Sequence, residues 1–464
     1  MNSLKPLTDL GNSERFIAQH KNDLRYCPHL KQWLCWSGTL WEPDGAGQVF
    51  QKAKETVKTI EKDVDLAQED QTLREEIIEH GKRSQSWSRI NAMVKLAKTD
   101  PEIQVDVEEL DTDPMLLNCP NGTIDLRTGE LLPHSREHLI TKSTLLPYDD
   151  GADCPQWLAF LDKIMAGKQD KIAYLKRITG YALTGSMNEQ CLFIYNGFGA
   201  NGKSTFLEAF RKVLGGYAMH TPSSTLLTNN MSIRNDLARL RGSRFVSAVE
   251  IGIGKKLDEA LTKELTGGDP ITSRFLFREF FEQKPTFKLF IAANYKPEIR
   301  GMDHGIWRRI RLIPFDVVLK DDEIDRDLPH KLETELSGIL SWAVQGCLDW
   351  QKQGLVMPDE VRSATTEYRE ESDVLSLFLE DKCKQGRKLE ISVKNLYDTY
   401  MAWSEENADD VLSKKTFGHF LKQRGFKQKK SDGIRSWVGL TIKVSSDRSD
   451  NSIESTSEAC PAIH

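Results

Sequence analysis

A glycine-rich stretch in the middle of the chain combines residue types that bind phosphate. It reads YNGFGANGKST from Tyr195 to Thr205 and matches the spacing Gly-x-x-x-x-Gly-Lys-Ser. Glycines let consecutive backbone N–H groups point into a concave loop, the lysine neutralises β- and γ-phosphates, and the serine hydroxyl ligates Mg²⁺. The stretch therefore predicts a site for ATP and Mg²⁺. The residues expected to form it are Gly197, Gly199, Ala200, Asn201, Gly202, Lys203, Ser204 and Thr205.

The flanks of this stretch fit a phosphate-binding loop. Before it, CLFIYN (Cys191 to Asn196) has the pattern of a short buried strand. After it, apolar residues recur at helical spacing from Phe206 to Leu214, and Gly215–Gly216 ends the helix. The amino end of that helix adds partial positive charge to the site. These flanks favour a phosphate site over a glycine-rich turn with a chance lysine.

A site of this kind needs a second strand that ends in a carboxylate near the metal. The stretch RFVSAVEIG supplies one, because Phe245 to Val249 has a strand pattern and Glu250 follows it. Ile251 comes next instead of a second acid, so one carboxylate must either orient the attacking water or support the metal. We expect Ser204 to hold Mg²⁺ and Glu250 to activate water, with Glu250 also a candidate metal ligand. The alternative is an exposed glutamate at a strand end.

Another predicted strand, Phe287 to Ala293, ends at Asn294. A polar side chain there is suited to hydrogen-bond the attacking water or the γ-phosphate, as a sensor residue does. An earlier strand is predicted from Ile271 to Phe277, and a charged and aromatic turn, Arg278 to Lys284, separates the two.

Three arginines follow in GMDHGIWRRIRLIPF, just ahead of and within a further predicted strand. Because alternate residues of a strand point to opposite faces, Arg309 and Arg311 are expected to share one side and Arg308 the other. Tandem arginines usually form a solvated edge. Beside an ATPase core, Arg308 and Arg309 become candidates for an arginine finger that reaches a neighbour's nucleotide.

The order of these motifs, together with LTGGDPI (Leu265 to Ile271), resembles the superfamily 3 helicases. The resemblance is closest to the helicase part of phage, plasmid and poxvirus primase-helicases. The earlier motifs LTDLGNSERF, WLCWSGTLWEPD and NGTIDLRTGELLPH resemble the domain that precedes the helicase in that family. In total, the resemblance covers roughly residues 7 to 320.

This resemblance implies a homo-hexameric ring with ATP bound between subunits and single-stranded DNA threaded through the centre. Lys203 and Ser204 would hold phosphate and Mg²⁺, Glu250 would be the strand-end acid and Asn294 the sensor, and Arg308 or Arg309 would be the finger. The turn from Arg278 to Lys284 matches the hairpin that contacts DNA in the pore. There Arg278 and Lys284 would meet phosphates, and Phe280 or Phe281 would stack on a base or pack in the core.

Family members often carry a primase domain upstream. Because the chain begins almost directly with the region before the helicase, we expect primase activity to come from a separate chain.

The C-terminal region reads as three helices, Val374 to Cys383, Ser392 to Asn407 and Leu412 to Phe426, followed by a ribbon that turns at Asp432–Gly433. This order predicts a winged helix. Its basic residues favour duplex DNA as the ligand, with non-specific DNA binding or partner docking as alternatives. The expected DNA contacts are Lys414, Lys415, Lys422, Lys429, Lys430 and Arg435.

The composition limits these readings. The 464-residue chain has a formal net charge of -6, so nucleic acid must be bound through local basic patches. Eight cysteines show no Cys-x-x-Cys pair, which favours buried reduced thiols over a zinc site. The N-terminus lacks an apolar core and no apolar run reaches membrane-spanning length, so we expect a cytoplasmic protein.

The predicted fold is α/β: an AAA+-like parallel-sheet ATPase core with a phosphate loop, an α+β N-terminal domain and a C-terminal winged helix. The expected division is 1–153 for the N-terminal domain, 154–318 for the ATPase core, 319–372 for a helical segment, 373–444 for the winged helix and 445–464 for a disordered tail.

The first functional hypothesis is an ATP-driven ring helicase that acts on single-stranded and forked DNA to start replication of a phage, plasmid or other mobile element. The second is an ATP-switched DNA-binding regulator or initiator without unwinding activity. The third is an ATPase that moves another substrate. The basic, aromatic turn before Asn294 favours the first hypothesis, since a switch does not need it.

Overall fold

A computed structural model describes most of the chain, and its contacts divide the chain into two compact units, Met1–Tyr368 and Arg369–His464. The predicted carboxylate Glu250, the predicted DNA contact Arg278 and the predicted tail 445–464 lie outside the described residues. The described ranges are 4–228, 235–249, 251–274, 280–407, 411–431 and 433–443.

The first unit begins with a helical layer and a small antiparallel sheet in the order β1-β2-β3. The polar region from Val49 to Lys98 is not one continuous helix. A 3₁₀ segment, Ile60–Ala67, interrupts it, and the Asp70 side chain accepts a hydrogen bond from Leu73 N to start a new helix. The elements are α1 (Asp9–His20), β1 (Leu24–Cys27), β2 (Gln32–Trp36), β3 (Trp41–Pro43), α2 (Gln48–Thr59), α3 (Gln71–Ser84) and α4 (Trp87–Ala97).

A second antiparallel sheet, in the order β4-β5-β6, follows. Its strands are β4 (Leu116–Cys119), β5 (Gly122–Asp125) and β6 (Glu130–Leu132). The Asn121–Gly122 and Thr128–Gly129 pairs therefore lie at the turns between these strands.

A five-stranded parallel sheet forms the centre of the first unit, in the order β13-β7-β12-β9-β8. Its middle strands are buried and largely apolar, as strands covered on both faces must be. This sheet confirms the predicted parallel α/β core. The elements of the region are α5 (Pro155–Ile164), α6 (Gln169–Leu183), β7 (Leu192–Asn196), α7 (Lys203–Leu214), β8 (Ala218–His220), α8 (Asn235–Ala238), β9 (Phe245–Val249), α9 (Glu259–Gly267), β10 (Ile271–Ser273), β11 (Phe281–Gln283), β12 (Lys288–Ala293), α10 (His304–Trp307) and β13 (Ile310–Pro314).

One strand lies where the sequence predicted only a turn. β11 pairs antiparallel with β10, Ser273 opposite Phe281, so the two form a separate hairpin outside the parallel sheet. Gln283 Nε2 donates to Ser273 Oγ at 2.9 Å and to Leu237 O at 2.9 Å, which holds the base of the hairpin together. For the described residues 280–284 the predicted turn was wrong, because these side-chain bonds and the pairing with β10 extend Phe281–Gln283.

Three helices follow the core: α11 (Leu328–Glu333), α12 (Leu336–Gln353) and α13 (Asp359–Glu371). A single hydrophobic cluster runs from Leu117 through the sheet to Ile339 on α12 and Val361 on α13. The compact units therefore differ from the predicted division at 153/154 and 318/319, because apolar side chains from all three stretches share this core.

The second unit contains the three predicted helices and the predicted ribbon. It also contains a strand that the sequence did not reveal, since few of its residues are apolar and its pairing comes from the distant strand Ile434–Ile442. Trp437, Tyr400 and Phe417 lie in its core. The elements are α14 (Val374–Lys382), β14 (Cys383–Ser392), α15 (Val393–Glu406), α16 (Lys414–Gln423), β15 (Lys427–Ser431) and β16 (Ile434–Ile442), with the sheet ordered β14-β16-β15.

Within the described ranges of both units, every helix is too short or too polar to cross a lipid bilayer.

Candidate functional site

The glycine loop, Gly197–Gly202, joins the end of β7 to the start of α7. Its backbone course needs glycine at both ends. Gly202 has φ 82, and a Cβ there would lie 2.6 Å from Ile164 Cγ2 and 2.9 Å from Phe160 Cε2. At Gly197 a Cβ would overlap the Phe315 carbonyl oxygen. The sequence therefore folds this loop tightly against α5 and the end of β13.

Replacing Gly202 by alanine is expected to lower the free energy of unfolding by about 2–4 kcal/mol, because a left-handed φ and a steric overlap act together. Urea unfolding followed by circular dichroism measures this loss. Gly45→Ala is the matched control, since a Cβ at Gly45 meets no atom within 4 Å and its φ is not left-handed. Equal stability of the two variants would contradict the described loop geometry.

Lys203 lies at the first position of α7 with its ammonium group turned back under the loop. Nζ donates to Gly197 O at 2.5 Å, Asn201 Oδ1 at 2.9 Å and Asn294 Oδ1 at 3.3 Å. The side chain is buried, and burial lowers the pKa of the ammonium group. All three acceptors are neutral oxygens, so the positive charge of Lys203 has no carboxylate partner in the described part of the site.

Asn294 reaches this cation because β7 and β12 are parallel neighbours, with Asn196 opposite Ala293. Their carboxyl ends meet at one edge of the sheet, where Asn196 Nδ2 donates to Ala293 O at 3.2 Å. The predicted sensor and the predicted phosphate-binding lysine thus lie side by side. Asn196 links the two strand ends and was not among the predicted site residues. Its position at the end of the predicted strand CLFIYN was the signal that could have identified it.

Ser204 and Thr205 occupy the next two positions of α7. Ser204 is exposed and Thr205 is half-buried, so the Ser204 hydroxyl faces solvent beside the glycine loop. Glu250 is the residue directly after β9, and β9 pairs with β12 through Val249 and Ala292. Since Glu250 lies outside the described residues, its role stays a prediction.

The arginine pair lies at the opposite, amino edge of the sheet. Ile310 pairs with Leu192, the first residue of β7, and both arginines precede it. The predicted alternation was wrong, because Arg308 caps α10 and Arg309 lies in the turn before β13, leaving only Arg311 in a strand. Neither Arg308 nor Arg309 is therefore brought to the glycine loop of its own chain.

The two arginines differ in their surroundings. Arg309 is buried, with Nε donating to Thr266 Oγ1 at 3.1 Å and Nη1 to Gly305 O at 2.6 Å. Burial lowers the pKa of its guanidinium. Arg308 is exposed and donates from Nη2 to Gln190 Oε1 at 2.6 Å. Within the described residues, a single amide oxygen thus accepts from the Arg308 guanidinium.

The hairpin presents an aromatic and a basic side chain to solvent. Phe280 is 65% exposed, which places it outside the core, and the Arg274 guanidinium lies 4.7 Å from its ring centroid. Lys284 is also exposed, whereas Phe281 is half-buried. The sequence is compatible with either stacking or core packing for Phe280, and the predicted contacts do not include Arg274, which precedes the predicted turn.

The predicted basic contacts of the second unit are all exposed. Lys430 on β15 lies directly opposite Arg435 on β16, a pairing of like charges that is unfavourable without an anion between them. Lys429 forms an ion pair with Glu390 on β14 at 3.2 Å. The remaining cations, on α16, are Lys414, Lys415 and Lys422.

Three families match successive parts of the chain. The D5 N-terminal-like family matches residues 13–166. A family of unknown function, DUF5906, matches residues 195–309, which include the glycine loop, Asn294 and the arginine pair. The poxvirus D5 protein-like family matches residues 370–454.

Similar proteins occur in DNA viruses. The protein named Putative helicase L207/L206 of Acanthamoeba polyphaga mimivirus is 28% identical over 65% of this chain and 34% of its own length. Putative helicase 022R of Frog virus 3 is 24% identical over 60% of this chain and 30% of its own length. Putative primase C962R of African swine fever virus is 25% identical over 44% of this chain and 22% of its own length. The chain spans about a third of the length of the first two relatives.

A solved structure has a similar fold. The A form of the apo NrS-1 C-terminal region aligns with a TM-score of 0.51 over 90% of this chain and 95% of that chain, at 11% identity. Families described after the D5 protein thus match both flanks of the glycine loop, and viral proteins named as helicases and primases align with much of this chain. These matches fit the primase-helicase family that the motifs of this chain resemble.

Proposed function

We propose that the chain is an ATP-driven DNA helicase that opens duplex DNA during replication of a virus, phage, plasmid or other mobile element. One observation carries this proposal. Lys203 and Asn294 lie together at the carboxyl edge of a parallel sheet, and the exposed Arg308 lies at the amino edge of the same sheet. Such an arrangement suits a site that two copies of the chain complete.

ATP and Mg²⁺ are the proposed ligands of the carboxyl edge. Lys203, a cation surrounded by neutral oxygens, is suited to the β- and γ-phosphates, and the backbone N–H groups of the glycine loop to their oxygens. The exposed Ser204 hydroxyl is the proposed ligand of Mg²⁺. The bound ion would offset phosphate charge and orient the triphosphate.

Hydrolysis converts ATP and water into ADP and phosphate. Asn294 is proposed to orient the attacking water by a hydrogen bond, and Glu250 to accept its proton. Lys203 then stabilises the charge on the departing phosphate oxygens. These roles fit the ends of neighbouring parallel strands, because β7, β9 and β12 all direct their carboxyl ends to this edge.

Arg308 is the proposed finger, and it acts on the neighbouring copy. The five residues of β7 span about 16 Å, so Arg308 of the same chain lies a strand length away from the glycine loop. A head-to-tail ring brings the amino edge of one copy to the carboxyl edge of the next. We propose a hexamer of this kind, with an AAA+-like core in each subunit. Arg309 is assigned a structural role because its own chain already binds its guanidinium.

DNA is proposed to contact two surfaces. The hairpin offers Phe280 for stacking on bases and Lys284 for phosphates of the single strand in the ring. The second unit has the order helix, strand, helix, helix and ribbon, which supports a winged helix. Its stretch 411–443 contains nine lysines and arginines and one aspartate, which favours duplex DNA as its ligand. A phosphate between Lys430 and Arg435 would relieve their repulsion.

Strand displacement on a forked duplex tests this function. The double variant Phe280→Ala and Lys284→Ala is expected to lose unwinding and to bind single-stranded DNA about five- to 150-fold more weakly, since each stacked base contributes about 1–3 kcal/mol. Its ATP turnover without DNA should stay at the unmodified level, because the hairpin lies outside the nucleotide site.

Leu145→Ala is the matched control, as Leu145 is an apolar residue with 78% exposure that is not part of the hairpin. Unwinding that the double variant retains would contradict the pore assignment. Displacement that is absent in the unmodified chain, while DNA is still bound, would favour an ATP-switched regulator. Turnover that single-stranded DNA does not stimulate would favour an ATPase acting on another substrate.

A further inference from the structure

An exposed aromatic stack lies on the N-terminal part of the first unit, away from the glycine loop and the hairpin. The rings of Phe50 on α2 and Trp87 on α4 have centroids 5.3 Å apart and an interplanar angle of 18°. Trp87 is 68% exposed, whereas Phe50 is half-buried and packs against the N-terminal core. Phe50 therefore supports one face of the indole, and the other face is open to water.

The stack is held rigidly. Trp87 is the first residue of α4, and Ile90 N donates to Ser86 O at 3.1 Å to close the first turn around it. The α4 residues Met93, Val94 and Ala97 are buried in the N-terminal core, so the helix cannot shift without disrupting packing. A ring fixed before binding loses little conformational entropy when a ligand stacks on it.

The surroundings of Trp87 are basic in a chain that is acidic overall. From His80 to Thr99 the sequence contains five lysines and arginines and no aspartate or glutamate. Lys82 and Lys95 in this stretch are exposed, and so is Lys54, one helical turn beyond Phe50 on α2. Arg83 is exposed and lies 3.7 Å from Glu79, and Arg89 lies 3.9 Å from Asp9. Phosphate groups near Trp87 would therefore meet cations.

These observations favour nucleic acid over a protein partner. A stable protein interface needs about 800 Å² on each side with charged residues depleted from its centre. Here the exposed aromatic surface is one supported ring, and the chain on both sides of it carries lysines and arginines. Single-stranded nucleic acid fits this chemistry, since its bases are free to stack and its phosphates seek cations. In a duplex the bases are already stacked on each other.

We propose that Phe50 and Trp87 form a stacking platform for a base of single-stranded nucleic acid, with Lys82 and Arg83 close to its phosphates. The platform gives the N-terminal region a direct nucleic-acid contact. It uses residues that take no part in ATP turnover and does not depend on the proposed motor function.

Photo-crosslinking locates such a contact directly. Single-stranded DNA that contains 5-iododeoxyuridine is irradiated with the full chain in the absence of nucleotide, and tryptic peptides are then sequenced by mass spectrometry. Cleavage after Arg83 and Arg89 releases SQSWSR, which contains Trp87. We expect DNA to be attached to this peptide. Crosslinks found only in other peptides of the chain would overturn the proposal.

Affinity measurements test the contribution of the ring. Binding of a labelled oligothymidylate is measured by fluorescence anisotropy. The chain already carries Phe280→Ala and Lys284→Ala, so that the hairpin does not contribute to the affinity. In that background Trp87→Ala is expected to weaken binding about five- to 150-fold, whereas Trp87→Phe, which keeps a flat ring, should stay within about threefold.

Leu66→Ala is the control for an exposed apolar residue of the same region, at 42% exposure, and should leave the affinity unchanged. Equal affinities of Trp87→Ala and the parent chain would overturn the proposal, as would an equal loss in Trp87→Phe and Trp87→Ala. A Trp87→Ala variant that changes only the oligomeric state would assign the stack to subunit contact instead. Failure of strand displacement in the unmodified chain would leave these outcomes unaffected.

Discussion

Replacing Arg308 by alanine is expected to lower ATP turnover by about 10³–10⁵-fold, because a guanidinium supplied by a neighbour stabilises charge that develops only in the transition state. ATP binding should remain at the unmodified level, since the ground state does not require the finger. Single-turnover hydrolysis of labelled ATP measures the first quantity, and equilibrium titration with a fluorescent ATP analogue measures the second.

Two neighbouring arginines serve as controls. Arg311→Ala removes a half-buried guanidinium that bonds Arg308 O at 2.7 Å, and it should retain most turnover. Arg309→Ala leaves the buried Thr266 Oγ1 and the half-buried Gly305 O without this donor, so we expect the free energy of unfolding to fall by about 1–3 kcal/mol. Arg309 would be the finger instead if Arg308→Ala retained full ATP turnover and a stably folded Arg309→Ala variant lost it.

Replacing Lys203 by alanine is expected to weaken ATP binding about 30- to 5,000-fold, since truncating one partner of a buried, hydrogen-bonded charge pair costs about 2–5 kcal/mol. Without nucleotide, the free energy of unfolding should fall by about 1–3 kcal/mol, because Gly197 O and Asn201 Oδ1 lose a donor. The response to added MgATP therefore has to be compared with the stability of each variant alone.

Thermal unfolding with and without MgATP separates the two effects. At a hundredfold excess over Kd, a ligand stabilises the folded state by about 2.7 kcal/mol, and the Lys203→Ala variant should lose this gain. Lys212→Ala is the matched control, because Lys212 lies on the same helix and pairs with Glu333 on the surface. An unchanged response to MgATP in Lys203→Ala would exclude the glycine loop as the triphosphate site.

The nucleotide side of the candidate site could be predicted because its residues are close in sequence or follow strand ends. The spacing from Gly197 to Ser204 encodes a loop, and Asn294 meets Lys203 because both neighbouring strands are parallel. What spacing cannot encode is which side chains the fold covers. Arg308 and Arg309 are adjacent and chemically identical. Arg309 is buried and donates to Thr266 and Gly305, whereas Arg308 is exposed.

Pairing partners distant in sequence caused the other differences. Strand β14 contains few apolar residues, and its extended course comes from β16, more than forty residues further along the chain. Residues 281–283 lie within a predicted turn, but β10 pairs with them to form a hairpin. The helices predicted as a separate segment, 319–372, pack on the core, because α12 contributes Ile339 and Val344 to the hydrophobic cluster around the sheet. Such long-range contacts have no local signal in a single sequence.

Mixing two inactive variants tests most directly whether neighbouring copies share one site. Lys203→Ala lacks the phosphate-binding lysine and retains Arg308, and Arg308→Ala has the opposite defect. In a randomly assembled ring of equal parts, about a quarter of the interfaces combine an intact glycine loop with an intact finger. We therefore predict that the mixture recovers about a quarter of the unmodified ATPase rate, whereas each variant alone is nearly inactive. A mixture as inactive as its components, or a chain that hydrolyses ATP at full rate as a monomer, would contradict the account.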